Sequence, residues 1–222
     1  MAEILHKKIL VLAILLLSGS YQSFSKHPAI SLSSVSKTET IYRSLHLDSL
    51  GLKQSVFEKA LKGWQELKQQ NRLKSNILSI SDLSQSSNSK RLYVIDLEEK
   101  KLLFHTYVAH GRNSGQEYAS SFSNTLNSFK TSLGFYVTES TYTGTHGLCL
   151  RLKGLEKGIN DIAEQRGIVI HGAPYVSESF IKNFGRLGRS QGCPAITEDL
   201  CEPIITSIKE GCLLYTSPSP RD

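Results

Sequence analysis

Two short stretches set this sequence apart: IVIHGAPY at residues 168–175 and GRLGRSQGCPA at residues 185–195. The first is typical of a buried β-strand that ends at His171 and Gly172, because apolar and β-branched residues lead up to the histidine. The second is a glycine-rich loop in which Cys193 stands between a glycine and a proline. Glycine allows a close backbone approach and an unusual φ, and proline fixes the direction of the chain. Together they predict a thiol that a shaped loop presents.

A nucleophilic role for this thiol requires a base, because the thiolate is the reactive form. His171 is the expected base for Cys193, since a strand end can aim its ring. His110 also precedes a glycine at a predicted strand end and is the alternative base.

The surroundings of the thiol suggest how it is activated. The amides of Gly192 and Cys193 are expected to form an oxyanion hole. Arg186 and Arg189 add positive charge, which favours the thiolate.

The rest of the chain predicts a mainly β domain with flanking helices. Period-two segments typical of strands lie at residues 77–83, 91–97, 102–109, 133–138, 148–152 and 167–170. An amphipathic helix is expected over residues 49–70, with Trp64 in the core, and a last helix over residues 202–209, with Pro203 at its first position. The Ser/Asn-rich stretch 111–127 has no clear period and predicts a long loop, which on a β scaffold is often functional.

Both ends are predicted to lie outside the fold. Residues 1–25 have the lysines, the nine-residue apolar run and the small residues of a secretory signal; the alternative is an uncleaved membrane anchor. Export predicts a periplasmic or cell-wall location. Residues 26–48 are interpreted as a linker and residues 212–222 as a non-native or disordered tail.

Composition excludes several classes of protein. With 39% hydrophobic residues among 222, the chain is neither disordered nor collagen-like. The net charge of +6 is spread without a basic run, which argues against nucleic acid as a partner. The four cysteines form no CxxC pair and are too few for a disulfide scaffold. Cys149 is expected to be a buried thiol, although export leaves a disulfide with Cys201 open.

The two stretches resemble the L,D-transpeptidase (YkuD-like) catalytic domain, in which a His-Gly pair on a strand precedes a Ser/Thr-x-Gly-Cys loop. Residues 190–193, Ser-Gln-Gly-Cys, match that loop, and the neighbouring Gly-Arg and Pro-Ala resemble the murein L,D-transpeptidase branch. The likeness runs from about residue 77 to residue 208, so the catalytic domain is placed at residues 77–211 after a helical segment at 49–76. Further matching segments lie at residues 108–111, 122–124, 132–134 and 142–147.

The resemblance implies a YkuD-like β-sandwich or open barrel that acts on peptidoglycan stem peptides through a Cys193 thioester. Gly172 would orient the base, His171, through its carbonyl, and Ser190 would position the loop or the substrate. Substrate contacts are expected from Tyr142, His146 and Arg189. Neither a metal nor another cofactor is implied, and carbapenems are the expected inhibitors. The oligomeric state is left open.

The sequence departs from the family pattern in two places. Gln191 stands where many members have histidine, and it cannot carry a proton. Family members also continue past the last helix with strand-like sequence; without it, the sheet would have an uncovered edge.

Three other functions remain open at this point. An L,D-carboxypeptidase would share the acyl-enzyme and differ only in the acceptor. A non-catalytic wall-binding module would fit the charge and the export signal. A zinc peptidase would need ligands such as His105, His110 and His146, but no HExxH motif is present.

Overall fold

The computed structural model of this protein describes residues 39–218, so the predicted signal and most of the predicted linker lie outside the described residues. The strands are β1 Ile77–Asp82, β2 Leu92–Asp96, β3 Lys101–Thr106, β4 Val108–Ala109, β5 Gly134–Gly144, β6 Gly147–Gly154, β7 Val169–Gly172, β8 Ala195–Ile196 and β9 Leu213–Ser217. The helices are α1 Gln54–Gln69, α2 Glu178–Phe184 and α3 Glu198–Ile208, and residues 39–44 are also helical. No helix in this part of the chain is long and apolar enough to cross a membrane.

The nine strands form one sheet that nearly closes into a barrel. Their spatial order is β3-β2-β1-β9-β5-β6-β7-β8-β4, so β3 and β4 occupy the two edges. A single residue, Tyr107, connects these edge strands, which brings the edges together. Closure of this kind protects edge strands from pairing with other chains. The prediction of a mainly β barrel-like domain with flanking helices is confirmed.

The C-terminal segment contradicts the prediction of a disordered tail from residue 212. Leu213–Ser217 forms β9, which lies in the middle of the sheet, parallel to β1 and antiparallel to β5. All five of its residues are buried, with Leu213 and Tyr215 in one core cluster and Leu214 in another. The Ser217 hydroxyl donates to the Asp82 carboxylate of β1 over 2.7 Å. The domain therefore extends beyond residue 211, and β9 supplies the strand-like sequence after the last helix that the family resemblance implies.

The N-terminal boundary is also corrected. Part of the predicted linker packs into the core, because Ile41, Tyr42 and Leu47 are at most 6% exposed. Helix α1 begins at Gln54 rather than near residue 49, after a turn closed by Gly51 at φ +89°. Its apolar face packs on β1 and β9, as the helical pattern predicts.

Several local predictions differ from the structure in instructive ways. The last helix begins at Glu198, four residues before the predicted start, so Pro203 lies inside α3 rather than at its first position. The strand predicted at residues 102–109 is divided at Tyr107 into two strands on opposite edges of the sheet. The sequence did not predict β8 or α2. β8 has two residues and α2 has seven, which is too few for a hydrophobic period to be recognised.

The role of β9 can be tested with Leu214→Ala, which removes a side chain that is 0% exposed between the sheet and α3. The free energy of unfolding should fall by about 2–5 kcal/mol, the range for buried leucine truncations. Denaturant unfolding measures the change. Ile159→Ala, at a residue that is 47% exposed, is the matched control and should cost about 0.5 kcal/mol or less. Equal effects of the two substitutions would contradict a central position for β9.

Candidate active site

A cleft of about 460 Å³ opens where β7, the long 110–133 segment and the loop at residues 185–194 meet. That loop carries the predicted nucleophile Cys193 and is called the nucleophile loop below. Its lining includes six of the residues predicted for the site, namely Tyr142, His146, His171, Arg189, Ser190 and Cys193. Gly172 and Gly192 lie behind this lining rather than in it. The predicted long loop contributes Arg112, Leu126 and Asn127, in agreement with a functional role.

The pairing of β7 with β8 positions the two reactive side chains. These strands run parallel, with His171 opposite Ala195 and Gly172 opposite Ile196. Cys193 precedes Ala195 by two residues, so the same register places it beside Val169, two residues before His171. The thiol Sγ lies 3.7 Å from the carbonyl oxygen of Gly167, just before β7.

The His171 ring is held in one orientation by its neighbours. Its ring is 3% exposed, and Nδ1 lies 2.9 Å from the Gly172 carbonyl oxygen. Because a carbonyl only accepts, Nδ1 carries the proton and Nε2 keeps a lone pair. The His146 ring stacks on the His171 ring with centroids 4.5 Å apart. The carbonyl of Gly172 thus performs the orienting contact that the resemblance implies.

Burial keeps this histidine neutral. It lowers the pKa of His171, while the hydrogen bond to Gly172 raises it and the neighbouring His146 lowers it further. Gly172 itself is closely packed, since a Cβ would lie 3.1 Å from the Cβ of Cys201 in α3, which would have to shift by a few tenths of an ångström.

The pKa of the Cys193 thiol is raised, chiefly by burial. The backbone N–H of Val169 lowers it in part, Cys149 raises it, and Arg166 lowers it. The positive charge that favours the thiolate is therefore Arg166, not Arg186 or Arg189 as predicted. A raised thiol pKa beside a lowered imidazole pKa makes a neutral pair near pH 7.

Ser190 holds the nucleophile loop in shape. Its hydroxyl donates to the Cys193 carbonyl oxygen at 2.6 Å and accepts from the Gly192 N–H at 3.0 Å. Its own N–H donates to the His110 carbonyl oxygen, and its carbonyl oxygen accepts from the Arg112 N–H. The predicted use of Ser190 in positioning the loop matches this arrangement.

The predicted oxyanion role of the Gly192 amide does not fit the structure, because that N–H already donates to Ser190. Gly192 is required for another reason. Its φ is +123°, and a Cβ would lie 2.9 Å from the Lys130 carbonyl oxygen. In the described part of the chain, the Cys193 N–H has no acceptor and remains free to donate.

His110 is not positioned as the alternative base. It is 1% exposed and does not line the cleft, and its Nδ1 lies 2.8 Å from Nη2 of the fully buried Arg91. Burial, reinforced by the Arg91 charge, lowers the pKa of His110 to about 3. Arg91 also donates to the carbonyl oxygens of Val108 and Gln85. Through this network His110 supports the loop instead of taking a proton.

The predicted substrate residues differ in how firmly they are held. The Arg151 guanidinium lies over the Tyr142 ring, with its central carbon 4.3 Å from the ring centroid. Nη1 of Arg189 donates at 2.9 Å to two carbonyl oxygens, those of Arg112 and Gly115. His146 combines a place in the lining with its stack on His171.

Several residues of the cleft were not singled out as site residues from the sequence, among them Arg112, Phe129, Arg166 and Tyr175. Arg166 lies between predicted elements and carries no local pattern. Tyr175 lies beyond the His-Gly pair, and burial raises its pKa to about 12. Arg112 directly follows His110 and Gly111, which is the one signal that could have identified it.

The zinc and disulfide alternatives find no matching group. Within residues 39–218 no three His, Cys, Asp or Glu side chains are grouped as metal ligands. His105 stacks on Tyr93 on the outer strands, with ring centroids 4.6 Å apart. All four cysteines are free thiols, and Cys149 is buried as predicted.

Comparison with known proteins supplies the family. A profile of the L,D-transpeptidase catalytic domain (YkuD_2) matches residues 48–216, a range that includes α1 and all but the last residue of β9. The chain belongs to this family. No sequence among curated proteins matches it.

Three solved structures are similar in fold. The helical cell shape determining protein of Campylobacter jejuni is 16% identical, with a TM-score of 0.44 and 67% of this chain covered. An L,D-transpeptidase from Mycobacterium smegmatis is 13% identical, with a TM-score of 0.41 and 64% covered. An L,D-transpeptidase in complex with imipenem is 12% identical, with a TM-score of 0.40 and 64% covered. This chain spans between 50% and 59% of their lengths.

The raised thiol pKa predicts a pH profile for alkylation of the free enzyme. Iodoacetamide reacts with the thiolate, so the alkylation rate of Cys193 should rise through a midpoint above the value of about 8.5 for a free thiol. Intact mass measured over a pH series gives the rate, and Cys193→Ala is the control that should remain unlabelled. A rate that already reaches its plateau below pH 7 would contradict the neutral pair.

The buried Arg91 network predicts a large loss of stability on removal of its charge. Arg91→Met leaves the Val108 and Gln85 carbonyls without their donor, which should cost about 3 kcal/mol or more in the free energy of unfolding. Denaturant unfolding is the measurement, with the exposed Arg72→Met as the matched control at about 0.5 kcal/mol or less. Similar losses for both variants would show that the network contributes little.

Proposed function

We propose that this protein is an exported, cysteine-dependent L,D-transpeptidase that acts on peptidoglycan stem peptides. The observation that carries the proposal is that His171 on β7 and Cys193, two residues before the parallel strand β8, line the same cleft, with His171 Nε2 available as acceptor. A thiol and an oriented imidazole that share a substrate-sized cleft are the components of nucleophilic acyl transfer. The periplasmic or cell-wall location rests on the signal-like sequence of residues 1–25.

The first half of the reaction forms the thioester. Nε2 of His171 takes the proton from the Cys193 thiol as Sγ attacks the carbonyl carbon of the L-configured centre of the donor stem. The tetrahedral intermediate collapses, the peptide C–N bond breaks, and His171 returns the proton to the leaving amine of the D-amino acid. The general-base route suits this pair, because both partners are neutral before substrate arrives.

The second half determines the product. The amine of a second stem loses its proton to His171 and attacks the thioester, which yields a new peptide bond and the free thiol. Water in place of the amine would yield a carboxylate, the carboxypeptidase outcome. The Cys193 N–H is available to the oxyanion in both halves, whereas the Gly192 N–H is held by Ser190.

Acylation by a carbapenem tests the nucleophile. Wild-type protein should gain the mass of one inhibitor molecule, and Cys193→Ala should gain none. His171→Gln should slow acylation by about 10²–10⁴-fold, the usual contribution of general base catalysis. Cys212→Ala removes a buried thiol away from the cleft and is the matched control. A folded wild-type protein that stays unmodified would argue against a reactive Cys193.

Muropeptide products distinguish the three related functions. Incubation with purified tetrapeptide stems should release D-alanine and form cross-linked dimers, measured by chromatography with mass spectrometry. Trimmed tripeptides without dimers would identify an L,D-carboxypeptidase. Binding to peptidoglycan without any acyl-enzyme or product would identify a non-catalytic module, and the proposal would then be wrong.

A further inference from the structure

The cleft is lined by three arginines and by no carboxylate. Arg112, Arg166 and Arg189 contribute to its wall, while no Asp or Glu is among the lining residues. The two salt bridges found within residues 39–218 both lie in the N-terminal helical region, away from these arginines. Positive charge without an internal counter-ion favours an anionic ligand.

The three arginines differ in how many of their donors are already used. Arg166 donates through both terminal nitrogens to the Ser123 and Lys130 carbonyl oxygens and to the hydroxyls of Ser132 and Ser128. It is therefore a clamp for the long loop. Arg189 uses only Nη1, which leaves Nη2 and Nε available.

Of the three arginines, Arg112 has the most guanidinium donors left unused. Its side chain is exposed, and its guanidinium carbon lies 4.0 Å from the centroid of the Phe129 ring. That ring is the only partner of its guanidinium within the described chain. A guanidinium stacked on an aromatic ring keeps all its N–H donors in the plane, where they can grip a carboxylate in bidentate fashion.

The ring below Arg112 is held at an energetic cost. Phe129 has φ +54°, a left-handed conformation that is unfavourable for a bulky residue. The carbonyl oxygen of Phe129 accepts a hydrogen bond from the Asn113 N–H at 3.1 Å. It also lies so close to Gly111 that a Cβ there would be only 2.5 Å away. Strain that packing enforces at a cleft is commonly linked to function.

Arg112 is also tied to the nucleophile loop. Its N–H donates to the Ser190 carbonyl oxygen at 2.8 Å, and its own carbonyl oxygen accepts from Arg189. Ser190 in turn bonds to Cys193. A continuous chain of hydrogen bonds thus connects Arg112, Arg189 and Cys193.

We propose that Arg112, stacked on Phe129 and assisted by the free donors of Arg189, binds a carboxylate of the donor stem peptide. The cleft then selects stems that carry a free carboxylate over stems in which it is amidated. This inference rests on the proposed function for its choice of substrate. The carboxylate belongs either to the side chain of a diamino diacid at the attacked centre or to the C-terminus of the leaving residue.

Binding to an inactive variant tests the inference separately from catalysis. In the Cys193→Ala background, calorimetry measures the Kd for three synthetic tetrapeptide stems: the free acid, the side-chain amide and the C-terminal amide. One of the amides should bind about 10–100-fold more weakly than the free acid, the loss expected for a charge-assisted hydrogen bond. The weaker amide identifies which carboxylate Arg112 holds.

Arg112→Gln provides the matching change on the protein. It should weaken binding of the free acid by a similar factor of about 10–100. It should leave the Kd of the discriminated amide nearly unchanged, which a merely structural role would not do. Arg112→Lys should recover only part of the affinity, since an ammonium lacks the planar fork. Arg72→Gln makes the same change in net charge at an exposed site and should have no effect.

Two results would overturn the inference. The first is equal affinity of the Cys193→Ala protein for all three stems. The second is an equal loss for all three stems in Arg112→Gln, which would indicate a general distortion of the cleft. Failure of the proposed function gives a different result. The protein would then bind the free acid with the expected preference, but the wild-type protein would form no acyl-enzyme.

Discussion

The parallel pairing of β7 with β8 is the constraint on which the site depends. It brings together two segments that are 22 residues apart, so that the residue beside Val169 is Cys193. β8 has only two residues and contributes little pairing energy by itself. The loop before it is fixed instead by Ser190, whose backbone is bonded to His110 and Arg112. Cys193 therefore takes its position from three separate parts of the chain.

The interior beneath this loop is polar, and the fold compensates for that polarity with hydrogen bonds. Arg91 is fully buried, yet three of its nitrogens donate to carbonyl oxygens or to His110. Burial lowers the pKa of Arg91 to about 10, with Asp82 opposing the shift. Since an unpaired buried charge is very costly, this network must form whenever the barrel closes. Barrel closure and loop geometry are consequently coupled.

Electrostatics divides the cleft into a neutral reactive pair and a cationic wall. Burial disfavours charge on both Cys193 and His171, because it raises the pKa of the thiol and lowers the pKa of the imidazole. The arginines around them lack internal carboxylate partners and so retain their charge for a ligand. Under the proposed function, one cleft would in this way hold an anionic peptide while Cys193 and His171 stay unionised.

The sequence by itself predicted a mainly β domain and singled out Cys193 and His171, because these depend on local periodicity and on residue chemistry. The orienting carbonyl of Gly172 was expected only from the resemblance to the family. Only the tertiary structure decided that Leu213–Ser217 is a central strand, since a strand of five residues is defined by the neighbours that pair with it on both sides. It also decided that the Gly192 amide is occupied and that Arg166, not Arg186, lowers the pKa of the thiol. Hydrogen bonds and charges act through space, and sequence distance does not reveal which groups the fold brings together.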